Sequence, residues 1–180
     1  VIGEHRPVPI LPADRDPRLI TERRGGTLTD EHHHLLADWA ILCAEHVLPY
    51  FEHAAPDDTR PHDALGTARA WRRGEVPMRT AHRAAFPANA AGRDLPDPAR
   101  FAALAAGQAV AVAHVAAHDL GAAAYAIRAA AAAGATRGEA EAARVAERDW
   151  QRERIPAPVR RLVLDDQRRR SAICWNAFDD

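Results

Sequence analysis

The chain has 180 residues, a formal charge of −1 and an aromatic content of 6%, enough length for one domain with its own core. All 24 basic residues are arginine and 25 acids oppose them, so no overall positive field favours nucleic acid or an anionic membrane surface. No apolar run approaches the roughly 20 residues that span a bilayer.

Alanine fills 42 positions and β-branched runs are scarce, which points to closely packed helices and away from strands. The expected fold is all-α: a single compact bundle of six to eight helices, with solenoid-like helix pairs as one arrangement. Cys43 and Cys174 lie far apart in sequence and read as buried thiols, not as a disulfide framework. The N-terminus carries acids and prolines in place of an apolar signal core, so a soluble, cytoplasmic protein is expected.

Residues 1–29 read as an irregular, proline-rich arm and residues 30–180 as the helical domain. Pro7, Pro9, Pro12, Pro17 and the Gly25-Gly26 pair interrupt any helix there, while the apolar residues between them suggest an arm lying on the body. The first long helix is expected over 31–54 with Asp30 as its cap. Its apolar stripe would be Leu35, Trp39, Leu42, Cys43, His46 and Tyr50, and Pro49 would kink its last turn. A second helix, 60–73, takes Thr59 or Asp58 as cap, Pro61 in its first turn and Gly74 at its end.

Further helices are expected over 77–92 with a break at Pro87, over 97–118, over 120–134, over 137–154 behind Thr136, and over 157–170 behind Pro156. Trp39, Trp71 and Tyr125 are expected in the core. Trp175 and Phe178 should fold back onto the bundle.

On a continuous helix over 97–118, His114 and His118 stand at i and i+4 and share one face. With His46 or Asp38 from the first helix and Tyr125 further along, they could line a polar pocket for general acid–base chemistry; the structural alternative is a set of hydrogen-bonded core histidines. No H-E-x-x-H or paired-cysteine pattern is present, so neither metal nor cofactor is expected. The Pro56-Asp57-Asp58-Thr59-Arg60-Pro61 turn is a second candidate. Asp58, Arg60, Arg69 and Trp71 could present a ligand- or partner-binding surface, or Asp58 could simply cap a helix and pair with Arg60. Arg160, Arg161, Arg168, Arg169 and Arg170, interleaved with acids, read as a solvated helix face.

Several of these segments together resemble the immunity-protein family of bacterial polymorphic-toxin loci. The residues that carry the resemblance are Phe51-Glu52, Pro56–Pro61, Ala70-Trp71, Gly74-Glu75, Ala113-His114-Val115, His118, Tyr125, Asp149-Trp150-Gln151 and Cys174-Trp175. The resemblance spans roughly residues 30–178 and implies an all-helical, immunity-protein-like domain that neutralises a cognate toxin by binding it. In that pattern histidines stand where this chain has Asn89 and Gln108, which implies an altered polar pocket between the central helices. Two readings follow: a binding module for a toxin or another protein, or a cofactor-independent cyclase, lyase or hydrolase acting on a small-molecule substrate in a His/Asp pocket.

Overall fold

The computed structural model describes residues 11–180; the breaks expected at Pro7 and Pro9 lie outside them. Among the described residues seven α-helices follow one another: α1 Asp30–Ala54, α2 Arg60–Arg72, α3 Met78–Ala91, α4 Asp97–Ala111, α5 His118–Ala132, α6 Arg137–Glu153 and α7 Ala157–Arg170. Short 3-10 turns at Pro17–Leu19, Glu22–Arg24 and Ala172–Cys174 complete the fold. Among the described residues the only extended pairing is an isolated bridge between Thr21 and Leu28.

Local chemistry explains most boundaries. Thr29, not Asp30, caps α1 by accepting a hydrogen bond from the His32 amide at 3.2 Å, and Asp30 occupies the first turn, where the helix dipole favours an acid. Thr136 and Glu139 form a reciprocal capping box at α6. Pro49 and Pro87 sit within α1 and α3, which run through them, so Pro87 does not break its helix.

α4 and α5 are the centre. α4 packs on α1, α2, α3 and α5, and α5 packs on α1, α4 and α6. A helix with neighbours on most sides must be apolar nearly all round, and alanine meets that demand with the least bulk. Gly107 marks a close approach of α3 and α4, since a Cβ there would stand 2.0 Å from Asn89 Oδ1.

α1 spans the bundle and buries Leu36, Trp39, Ile41, Cys43, Val47 and Phe51. The expected stripe is thus rotated. Leu42, His46 and Tyr50 lie on the outer face, and α1 packs on α4 and α5. Trp39 is buried, and its indole Nε1–H donates to the Gln151 carbonyl at 3.0 Å. Trp71 and Tyr125 are only half-buried.

The 11–29 arm lies on the body. Leu19 and Leu28 are buried, and Asp16 bonds to Arg18 beside it and to Arg169 on α7. At the other end, Arg144 and Arg152 of α6 donate to the carbonyls of Ala177 and Phe178 at 3.0 and 2.7 Å. These bonds bring the buried Phe178 onto the bundle.

The main departure from sequence expectation is at the end of α4. The helix stops at Ala111 and residues 112–117 form a succession of turns. No proline or glycine lies there. Instead the carbonyls are taken from outside. His33 Nε2–H donates to Val112 O at 2.7 Å, Arg24 to His114 O at 3.3 Å and Arg170 to Ala117 O at 2.9 Å. His114 therefore lies in a turn and His118 opens α5, and the two do not share a helix face.

Replacing Trp39 with alanine should destabilise the fold by about 3–5 kcal/mol, the usual result of emptying a large core position. Trp39→Phe should cost less, about 1–3 kcal/mol, because it mainly leaves the Gln151 carbonyl without its donor. Urea unfolding of the two variants checks the order; equal losses would show that the hydrogen bond carries the effect and packing little.

Candidate functional site

An open cleft of about 430 Å³ lies between the arm, the N-terminus of α1, the α2–α3 turn and the 112–117 turn. Its walls include His33, His34, Trp71, Arg24, Asp30 and His114. The first two histidines are adjacent on α1, yet their roles differ. His33 points inward and is fixed by Val112 O. His34 meets the Trp71 ring edge-on at 5.3 Å, while His33 lies 5.1 Å from the same ring. Across the cleft, His114 stacks on His82 of α3 at 4.3 Å, and its Nδ1 is buried with no protein partner among the described residues.

The cleft keeps its imidazoles neutral. Burial is the first cause in each of His33, His34 and His114, and the nearby Arg24 adds to it for His33 and His114, as Arg72 does for His34. The one acid on the wall, Asp30, is engaged by Arg23. The site therefore offers hydrogen-bonding imidazoles, an aromatic wall and a cationic rim. Among the described residues no hydroxyl or thiol is hydrogen-bonded to a histidine ring, which leaves no activated nucleophile of the usual kind there. No group of three potential ligands is placed to hold a metal ion among those residues.

The residues singled out by sequence are spread over separate regions. His114 is in the cleft. His118 is largely buried at the head of α5, where its Nδ1–H donates to Gln108 Oε1 of α4 at 2.7 Å. His46 is on the outer face of α1; it donates to Glu147 Oε2 at 2.7 Å and stacks flat on Trp150 at 3.6 Å. Asp38 pairs with Arg72 at 3.0 Å. Tyr125 lies against Trp175, 5.0 Å between ring centres. The five do not line one concavity: of them only His114 borders the cleft.

In the second candidate set, Asp58 accepts the Arg60 amide at 3.1 Å and pairs with the Arg60 guanidinium. Arg69 is held by Glu45 of α1. Only Trp71 of that set reaches the cleft.

Sequence reasoning missed a buried charged group. Asp166 and Arg170 on α7 are each 3% exposed and Asp119 on α5 is 1% exposed, so that part of α7 is not a solvated face. Arg170 Nε donates to both Asp166 oxygens at 2.9 Å, and its Nη2 stands 3.6 Å from Asp119 Oδ1. Burial pushes Asp119 up to about 7, and burial together with Arg170 pushes the adjacent His118 down to about 4. A signal existed: Val159, Val163, Asp166, Gln167 and Arg170, the buried residues of α7, keep helical spacing, so polar residues continue an apolar stripe. His33, also missed as a site residue, had no comparable mark within its run of three histidines.

The family described as Imm-5 like putative immunity protein matches residues 26–158, and the chain belongs to it. No curated protein and no solved structure matches the chain.

The His118–Asp119 pair should give a distinctive pH response. His118 has its folded pKa depressed, so its contribution to stability is full above about 6.5 and is lost as pH falls through about 4. Asp119 has its folded pKa raised, so its contribution is full below about 3.8 and is lost as pH rises through about 7. The two oppose each other across the same window. His118→Gln should therefore gain stability relative to the parent protein on going from pH 7 to pH 4.5, and Asp119→Asn should lose it, each on the order of 2 kcal/mol. Urea midpoints at the two pH values check this; parallel shifts in both variants would show that neither group is perturbed as described.

Proposed function

We propose that this chain is an immunity-type binding module that neutralises a bacterial toxin by docking on it in the cytoplasm, with the histidine-lined cleft receiving part of the toxin surface. Family membership supports an immunity role. The observation that carries the binding reading over a catalytic one is the cleft itself, where the imidazoles of His33 and His34 lie against the Trp71 ring. His33, His118 and His46 each give one ring nitrogen to a structural partner, Val112 O, Gln108 and Glu147, and keep the other. The cleft is open and polar and has an aromatic wall, which suits insertion of a partner side chain.

The enzyme reading keeps one foothold in His114, whose partnerless Nδ1 borders the same cleft. Small-molecule chemistry there would need the ligand itself to supply the missing partner.

Co-expression with a candidate cognate toxin separates the two. The binding reading expects growth to be restored, a stoichiometric complex to be seen by calorimetry, and protection to weaken at least tenfold in a variant carrying His34→Ala and Arg24→Ala. Restored growth without any complex, abolished by His114→Ala, would favour chemistry on a small molecule. No protection by the parent chain would overturn the immunity role.

A further inference from the structure

Arg128 on α5 stands apart from the other arginines. Among the described residues, each arginine that is not exposed has a carboxylate within ion-pair distance, as Arg72 has Asp38, Arg100 has Asp97, Arg144 has Glu141, Arg148 has Asp149, Arg152 has Asp180 and Arg170 has Asp166. Arg128 is half-buried and has neither an ion pair nor a hydrogen bond among the described residues. Its guanidinium lies over two rings instead, 4.0 Å from the centre of Phe101 on α4 and 4.1 Å from the centre of Trp175. Tyr125, one turn earlier on α5, closes the group at 5.8 Å. The paired arginines Arg69 and Arg144 have pKa values raised by their acids, whereas that of Arg128 is lowered, with burial as the first cause.

The backbone holds this group in place. Trp175 and Asn176 both have positive φ, 58° and 57°. That region is unfavourable for a bulky L-residue and recurs where the fold aims a side chain for a purpose. Here it sets the Trp175 ring, 37% exposed, against the guanidinium. A planar cation laid on aromatic rings keeps its N–H edges available, and its side chain is already ordered, so less freedom is lost when it binds. Tryptophan, tyrosine and arginine together are also the residues that dominate protein-binding hot spots. The one acid close by, Asp97, is already engaged by Arg100, so the local charge is positive.

We propose that Phe101, Tyr125, Arg128 and Trp175 form a second docking point, separate from the cleft, for an acidic segment of a protein partner. A carboxylate of that segment takes the N–H edge of Arg128 in a two-point contact, and a neighbouring apolar side chain covers Trp175. The identity of the partner as a toxin rests on the function proposed above; the acidic-segment recognition does not.

The test uses a blocked peptide of alternating glutamate and leucine, titrated into the full chain and followed by the Arg128 Nε–H and Trp175 Nε1–H resonances. Both should shift together and saturate, and a glutamine–leucine peptide should leave them unmoved. Arg128→Gln should weaken binding by about tenfold or more, and Arg128→Lys should weaken it less, because charge is kept while the planar fork is lost. Thermal melts of both variants confirm that they are folded; Arg128→Lys carries the comparison if Arg128→Gln is not. Equal binding of the two peptides, shifts confined to other residues, or unchanged affinity in the folded Arg128 variants would overturn the proposal. In the toxin growth assay, full protection by a folded Arg128 variant would overturn the toxin as the partner of this docking point while leaving the immunity role intact. Failure of the parent chain to protect would overturn that role while leaving the peptide result standing.

Discussion

Three side chains from distant parts of the chain hold the carbonyls of the 112–117 turn, and both polar regions of the molecule depend on that capture. Arg24 comes from the arm, His33 from α1 and Arg170 from α7. Each donates to a carbonyl that a continuing helix would have used internally. With a longer α4, His114 would be carried round with the helix and the cleft would lose a wall. A buried carbonyl needs a donor from somewhere, and here long-range donors replace the helical ones.

The alanine-rich centre makes such an arrangement feasible. α4 and α5 contribute few large side chains, so the surrounding helices approach closely and the larger residues come from the periphery: Trp39 and Phe51 from α1, Leu65 from α2, Phe178 from the C-terminal turn. Close approach also brings side chains of α1, α6 and α7 into the interior in their polar forms. Glu147, Arg148 and Gln151 on α6 and Asp166, Gln167 and Arg170 on α7 are all buried. Most of their polar atoms are satisfied, and the exceptions, such as Gln151 Oε1 and Gln167 Nε2, lie in the same seam. Removing one member of such a group leaves another buried and unpaired, which costs more than the intact pair contributes. These residues fix how α6 and α7 sit on the bundle.

The two surfaces described here use different physics. The cleft presents neutral imidazoles beside Trp71, and its polarity comes from burial that keeps them uncharged. The Arg128 surface presents a permanent charge held on aromatic rings. The first can match a partner that offers donors and acceptors. The second favours a carboxylate. Under the proposed binding function, a module that carries both would discriminate by shape and hydrogen bonding at one point and by charge at the other.

The sequence by itself determined the helical class, the number of helices and nearly all their ends, because caps, prolines and glycines act within one turn of where they stand. Thr136 at the start of α6, Pro61 in the first turn of α2, and Gly74 with its positive φ of 76° are local signals read locally. The sequence also carried the family resemblance. Only the tertiary structure decided where α4 stops, which way α1 is rotated, and which of ten histidines share a cleft. Nothing near Ala111 breaks a helix; the donors that end it lie at positions 24, 33 and 170. Trp71 was legible as a candidate, but not as a neighbour of His33 and His34, and Arg170 read as solvated because charge alone does not reveal the carboxylate waiting 51 residues earlier at Asp119. Contacts between residues so far apart are set by how whole helices pack, and a pattern confined to one helix does not contain them.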